Sequence, residues 1–583
     1  MTELRVWAPR ARKSVVAVVG SPARQVPLAR TDGGWFNAEV AGLEPGDDYA
    51  FLVDEKGPFP DPRSPWQPEG VHGPSRLVDH SAFDWTDEGW RGTDVRDGVI
   101  YELHVGTFSP RGDFDGVVER LDHLADLGVS SIELLPVNEF PGDRNWGYDG
   151  VSLYAPHHTY GGPDGLKRLV DACHDRGLAV ILDVVYNHLG PEGNYLGTYG
   201  PYFTDFYSTP WGEAVNYDRA DSDEVRRFAI DNALMWLRDY HLDALRLDAV
   251  HAIIDTSAVH LLEQMSAEVD ELATDLGRPL VLIAETDQND PRICTPRDRG
   301  GFGLQAQWSD DFHHALHAVL TGETSGYYAD FADGLAALAR TIEAGWLFQG
   351  ERSGHRRRRH GRSPDGLSGR NLLGYAQNHD QVGNRAVGDR LSHSVSDGRA
   401  RIAAALVLTS PFVPMLFQGE EWGASSPFQY FTDHQDRELG RAVAAGRRSE
   451  FGAFGWEPEQ VPDPQDRATF ERSRLSWSEL GEAPHAALLE WHRRLIGLRA
   501  AEPGLGVGPL EAAVAYDAAA GWLRIDRVGW SVGVNLGASD ADVPFPTPDG
   551  QVVLASHDSA PATTEGGVVR LPSDSVIVVR TRP

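Results

Sequence analysis

The sequence predicts an α/β chain built on a (β/α)8 barrel, with a small β-rich domain at each end. Three features carry that reading. Apolar segments of strand length alternate with helix-period segments through the middle of the chain, polar residues gather at the C-terminal end of each strand, and short strands broken by turn residues occupy both ends. A chain of 583 residues is too long for one ordinary core. The expected boundaries are 1–90 for an N-terminal β-sandwich, 91–500 for the barrel and 501–583 for a C-terminal β-domain.

The first strands read LRVWAP, SVVAVVG, GWFNAEV and DDYAFLVD, and DWTDEGWRGTDVRDG (Asp84 to Gly98) follows as a linker. Trp7, Trp35 and Trp66 permit this domain to be a glycan-binding module, and packing on the barrel explains them equally well. Eight strand candidates come next: VIYELHVGTF, SIELLPV, LAVILDVVYNH, LDALRLDAV, PLVLIAET, GLQAQWSDD, NLLGYAQNHD and VPMLFQGEEWG. Between many of them lie segments such as GLKRLVDACHDRG and SDEVRRFAIDNALMWLRDYH, with apolar residues at three- and four-residue spacing. Several of these helical segments end in Gly. After AAEPGLGVGP (Ala500 to Pro509) the pattern returns to strands: GWLRIDRV, WSVGVNL, QVVLAS and VIVVR.

Composition narrows the function. With 53 basic and 86 acidic residues the formal charge is −33, which repels nucleic acid and anionic membranes and favours a neutral partner. Cys173 and Cys294 form no CxxC, so reduced thiols in a cytoplasmic protein are expected, not a disulfide scaffold. The N-terminal apolar run is too short for a signal peptide, and no segment reaches membrane-spanning length. No metal or other cofactor is expected: the pairs His157–His158 and His313–His314 lack partners at zinc-like spacing, and nothing specifies a calcium loop. The basic run HRRRRH (His355 to His360), just before the seventh strand, reads as a solvated loop in preference to a nucleic-acid site or a cleft edge.

The chemistry sits at four strand ends. LDVVYNH supplies Asp183, Asn187 and His188; LRLDAVH supplies Arg246, Asp248 and His251; IAET supplies Glu285; AQNHDQVGN supplies His379 and Asp380. In DALRLDAVH, Leu245, Leu247 and Ala249 share one face of a strand, and Arg246 and Asp248 share the other. Burying such charges is costly unless they are paired. A structural ion pair satisfies that demand but leaves Glu285 and Asp380 unexplained. Glycoside hydrolysis uses all of them, since it needs one ionised carboxylate and one protonated acid held in different environments. Arg246 would keep Asp248 ionised. Glu285, after the apolar run VLIA, suits a less solvated acid.

DVVYNH, LRLDAVH, AET and QNHDQ resemble, in order and on the expected strands, the four motif regions of the α-amylase superfamily (glycoside hydrolase family 13). The resemblance implies Asp248 as nucleophile, Glu285 as acid/base and Asp380 as transition-state stabiliser. It implies His188, Arg246 and His379 around the sugar that becomes linked, with Tyr148 of NWGYDG stacked beneath it and Asp183 in support. His251 joins the sugar-binding candidates. Longer stretches, among them ELLPVNEFPGDRNWGYDGVSLYAPHHTYGGPDG, PYFTDFYSTPWGEAVNYD and MLFQGEEWGASSPFQYFTDH, resemble the branch of the superfamily that releases trehalose. That branch implies a neutral partner, maltooligosyl trehalose, cut with retention at the α-1,4 bond next to its terminal trehalose, after a maltooligosyl trehalose synthase has made it. Glucan branching enzymes are the alternative, although QNHDQVGN stands in place of their usual Asp380 motif. For the leaving trehalose the candidates are Trp211, Trp422, Phe428, Tyr430 and Phe431, each of which could equally pack a loop. Glu420 and Glu421 read as a helix N-terminal pair or as hydroxyl binders.

Overall fold

β1 (Ile100–Leu103), β2 (Ser131–Leu134), β3 (Ala179–Val184), β4 (Ala244–Leu247), β5 (Val281–Ala284), β6 (Ala306–Trp308), β7 (Leu372–Tyr375) and β8 (Val413–Phe417) close a parallel barrel in chain order. Each lies inside a segment expected from the sequence. The structure is a computed structural model that describes residues 1–452, 460–510 and 512–581.

Strand alternation divides the interior in two. Side chains facing outward, such as Leu245, Leu247, Leu282 and Ala284, join the continuous core shared with the helices. Those facing inward at the bottom, including Ile100, Ile181, Ala244, Val281, Ile283, Leu373 and Met415, form a separate apolar plug. One rung higher the inward positions change character. Glu102 on β1, Glu133 on β2, Asp183 on β3 and Arg246 on β4 are all at most 1% exposed. Apolar residues there would extend the plug at no desolvation cost, so this ring of ionisable groups is a functional signature.

Helices Gly162–Asp175, Asp223–Asp239, Leu261–Leu276 and Asp310–Thr321 each turn an apolar stripe to the outer faces of the strands. Asp397–Thr409 is different: from Ile402 to Thr409 every residue is buried. It lies between helix Ala483–Ala501 and strand Ser575–Arg580 of the C-terminal sheet, which together cover its outer side. That sheet runs Ala513–Asp517, Trp522–Arg527, Trp530–Asn535, Ser575–Arg580, Gln551–Ala555.

The N-terminal strands form two antiparallel sheets, and Val15–Val19 alternates buried and half-buried positions as a sheet with one covered face should. Its tryptophans pack against the rest of the fold. Trp7 meets Tyr202 edge-on at 5.3 Å, Trp35 donates to Glu224 at the start of helix Asp223–Asp239, and Trp66 lies against Gly162. Packing is therefore the role the structure gives them.

Arg499 joins the C-terminal domain to the barrel. It is 6% exposed, and its guanidinium donates to the carbonyls of Leu408, Ser410 and Phe412, just before β8, and of Leu505, after helix Ala483–Ala501. Arg527 of the C-terminal sheet donates to Ser410 and Leu505 as well. Arg499→Leu takes this donor from the Leu408 and Phe412 carbonyls and leaves Ser410 and Leu505 to Arg527 alone, and denaturant titration should show a loss of about 3 kcal/mol.

Candidate active site

The β4 strand ends earlier than DALRLDAVH suggests. Its ladder stops at Leu247, and Ala249, expected to continue the apolar face, takes a left-handed conformation with φ +39°. A non-glycine residue there is strained by about 1 kcal/mol or more. The strain has a visible use, because the turn points the Ala249 N–H at Glu285 Oε2, 2.5 Å away.

Arg246 organises what surrounds this turn. Its Nη1 donates to Asp248 Oδ1 and to Asp183 Oδ2, both at 2.7 Å, and its guanidinium lies 4.3 Å over the Trp308 ring. Asn187 Nδ2 donates to Asp248 Oδ2 at 2.6 Å and to the Asp248 carbonyl at 2.8 Å. Burial by itself would raise the Asp248 pKa, but the charges of Arg246 and His188 and the Asn187 bond outweigh it and hold the group below the ordinary value. Asp183 goes the other way. Its burial, with the like charge of Asp248, exceeds the pull of Arg246 and moves it up to about 7.

Glu285 is the opposite of Asp248. Arg246 Nη2 stands 3.8 Å from Oε2, too far for a hydrogen bond. Burial, then the like charges of Asp248, Asp310 and Asp380, push its pKa well above the carboxylate range despite Arg246. Two acids served by one guanidinium thus have opposite resting protonation. One holds its charge and the other its proton.

The third acid stands at the mouth. The Asp380 side chain is 38% exposed, with Oδ1 accepting from Asn384 at 3.1 Å and Oδ2 3.4 Å from His379 Nε2. His379 is fully buried. Glu102 accepts from its backbone N–H at 2.8 Å and faces its Nδ1 at 2.6 Å. Burial disfavours the imidazolium, but Asp380 and Glu102 outweigh it and raise the pKa to about 9. Tyr148 lies parallel to His379 at 5.3 Å, and its hydroxyl bridges Asp183 Oδ2 and His379 Nε2 at 2.6 and 2.7 Å. His188 Nε2 faces the Tyr148 carbonyl at 3.0 Å.

The remaining sequence candidates divide. Trp211, 48% exposed, stacks on His188 at 4.4 Å and so reaches the rim of this constellation. His251 is exposed on the rim after β4, within electrostatic reach of Asp287. Trp422 and Phe428 must be corrected. Trp422 is 1% exposed against His123 and Trp477, and Phe428 is fully buried between Trp146 and Phe417, so neither has a face left for a sugar. Phe431 is equally buried, and half-buried Tyr430 packs edge-on against Trp146. Glu420 and Glu421 turn inward: Glu421 accepts from Tyr101 and faces His123, and Glu420 accepts from the Phe417 N–H.

A cavity of about 710 Å³ opens beside Asp380, with Asp287, Asp310, Tyr327, His355 and Arg356 on its walls. Arg356 donates to Asp287 at 2.7 Å, so one end of the basic loop is part of the cleft wall. Glu102, Asp287, Asp310, Tyr327 and Trp308 were not picked out from sequence. The available signal was acidic residues at inward-facing positions of apolar strands, as in IYEL and, two residues past the end of β6, AQWSD.

Glu139, His157 and His158 are the one group among the described residues whose ligand atoms lie close enough for a metal ion. His157 Nδ1 accepts from the Thr159 N–H, which leaves its proton on Nε2, turned to Glu139 3.6 Å away. That tautomer suits a carboxylate neighbour and not a cation.

An alpha-amylase catalytic-domain family model matches residues 78–211, and a domain of unknown function matches 508–578. A malto-oligosyltrehalose trehalohydrolase from Arthrobacter ramosus is 56% identical, covering 85% of this chain and 86% of its own. A Salmonella typhimurium crystal structure described as an alpha amylase superposes with TM-score 0.90 at 39% identity, covering 99% of this chain and 97% of its own. A branching enzyme, GlgB of Pseudoalteromonas atlantica, is 30% identical and covers 54% of this chain and 50% of its own.

The His379 shift has a stability consequence. Its folded pKa of about 9 lies above the unfolded value near 6.5, so the stabilisation is complete below about pH 6.5 and is lost as pH rises through 9. Its size is roughly 3 kcal/mol at most. Glu102→Gln removes one of the two carboxylates responsible. Denaturant titrations at pH 6 and pH 9.5 should differ less in that variant than in the wild type.

Proposed function

The chain belongs to the malto-oligosyltrehalose trehalohydrolase family within the α-amylase superfamily, and from that premise we propose that it hydrolyses the α-1,4 bond between a maltooligosaccharide and its terminal trehalose. Asp248 Oδ attacks the anomeric carbon of the glucose that precedes the trehalose, and Glu285 gives its proton to the departing oxygen. Trehalose leaves, and the sugar is held as an ester of Asp248. Glu285, now a carboxylate, takes a proton from water as the water oxygen attacks the same carbon. The maltooligosaccharide departs with its configuration retained, and both acids return to their starting states. Asp380 binds hydroxyls of the reacting ring, Tyr148 stacks on it, and His188, Arg246 and His379 surround it.

One observation supports this assignment above the others: Arg246 touches Asp248 at 2.7 Å but not Glu285, so the two acids rest in the states the first step requires. Glu285 must face the leaving oxygen, so trehalose belongs on its side of the scissile bond. The cavity bounded by Asp287, two residues beyond Glu285, and by Asp310 and Tyr327 supports that placement. The substrate is supplied by a maltooligosyl trehalose synthase, and the reaction belongs to trehalose biosynthesis. Two buried free thiols, Cys173 and Cys294, suit a reducing cytoplasm.

Incubation with maltopentaosyl trehalose should release trehalose and maltopentaose rapidly, with maltohexaose attacked slowly. Branched glucan without trehalose would assign the chain instead to transfer chemistry. Asp248→Ala and Glu285→Gln should each lower kcat by three orders of magnitude or more with the melting temperature preserved, as removal of a reacting group does.

A further inference from the structure

The floor beneath Asp248 contains polar atoms that the hydrolytic steps do not use. Ile132 and Leu134 of β2 face the outer core, so Ser131 and Glu133 face inward. Glu133 is in register with Glu102 on β1 and with Ile181 on β3, the residue one rung below Asp183. Asp183 is in register with Arg246 on β4.

Seven buried atoms in this region have no hydrogen-bond partner among the described residues: Ser131 Oγ, both carboxyl oxygens of Glu133, Asp183 Oδ1, Arg246 Nε and Nη2, and Trp308 Nε1. Their side chains are at most 3% exposed. Leaving a buried polar group without a partner is costly. Seven together would approach the whole net stability of a typical domain. Donors and acceptors are both present, from four residues of the barrel interior and one, Arg246, that crosses between them. A buried water makes about three hydrogen bonds, so two or three waters would satisfy nearly the whole set.

The charge state of Glu133 follows from its neighbours. Glu102 and Asp183 are the acids that act on it, and Arg246 and His379 are the cations. Arg246 is already committed to Asp183 and Asp248, and His379 to Glu102 and Asp380. A further anion here would be buried with no cation of its own. Burial and the charge of Glu102 act in the same direction, raising the Glu133 pKa well above the carboxylate range.

We propose that ordered waters fill the space between Ser131, Glu133, Asp183, Arg246 and Trp308, and that Glu133, as a neutral acid, is the positioning residue that anchors them. Through those waters its hydroxyl donates toward Asp183 Oδ1, and its carbonyl oxygen accepts from Arg246 Nε. The guanidinium is thereby fixed on the side away from Asp248, leaving Nη1 directed at the nucleophile. This role rests on the glycosidase reading for its kinetic consequence and not for the waters.

Two measurements test it. A crystal structure of the wild-type protein at about 1.5 Å should show at least two waters bonded to Glu133 and to Arg246 Nε or Asp183 Oδ1. Protein atoms closed over that space would overturn the proposal whatever glucan is cut. Glu133→Gln and Glu133→Leu are then compared by the pH dependence of kcat/KM on maltopentaosyl trehalose. Gln is neutral and hydrogen-bonding, and should keep kcat within about twofold and both limbs in place. Leu removes the anchor, and should lower kcat about tenfold or more with KM little changed. It should also move the acid limb upward, because a less firmly held Arg246 lowers the Asp248 pKa less. A shifted limb in the Gln variant would mean Glu133 is charged, and wild-type kinetics in the Leu variant would mean it positions nothing. Either result refutes the role. Should the Leu variant fail to melt cooperatively, the water density and the Gln profile still decide.

Discussion

One buried guanidinium meets more carboxylates than it can neutralise. Arg246 has Asp183 and Asp248 in contact and Glu285 just beyond reach, all in a protein interior where unpaired charge is expensive. With too little positive charge for three anions, the site must hold protons. Contact with the guanidinium alone does not decide which acid keeps one: Asp183 and Asp248 both lie 2.7 Å from Nη1, and Asp248, which also accepts from Asn187, is held below its ordinary pKa, whereas Asp183 and the out-of-reach Glu285 are raised. Opposite roles for two chemically similar groups therefore follow from a shortage of cations, set by the side-chain alternation of a closed barrel.

The rest of the fold supplies the conditions for that shortage. The apolar plug beneath Arg246 keeps the floor dry of bulk solvent, and Trp308 covers one face of the guanidinium. The strained turn at Ala249 brings a backbone donor to Glu285 without adding a charge, so Glu285 is fixed in place while burial keeps its pKa raised. Glu102 solves the same problem at His379, pinning a ring whose positive charge then lies beside Asp380. The flanking domains act at a distance. Trp7, Trp35 and Trp66 seat the N-terminal sheets, and Arg499 and Arg527 hold the turn that leads into β8.

The barrel was legible because periodicity is local: eight apolar runs bounded by helix-period segments need no tertiary information. Asp248, Glu285 and Asp380 were legible because each ends such a run, where barrel sites sit. Trp422 and Phe428 misled for the converse reason. An aromatic residue in a loop after a strand carries no sign of which way it points, and these two fill the base of the β8 loop. Glu102 and Glu133 could have been found as acids at inward positions of apolar strands. They lie inside the runs IYEL and SIEL, though, where no polar cluster draws notice. The walls of the cleft, from Asp287 to Tyr327 and Arg356, are assembled from loops far apart in the chain, and only the fold brings them together.

The division of labour between the two acids is tested most directly by trapping the covalent species. Treat the Glu285→Gln protein with an activated maltooligosyl fluoride whose good leaving group needs no acid, digest it, and locate the sugar by mass spectrometry. A glycosyl ester on the peptide bearing Asp248 is the expected result. A label on another carboxylate, or steady turnover of the fluoride with no adduct, would contradict the account of how Arg246 apportions charge.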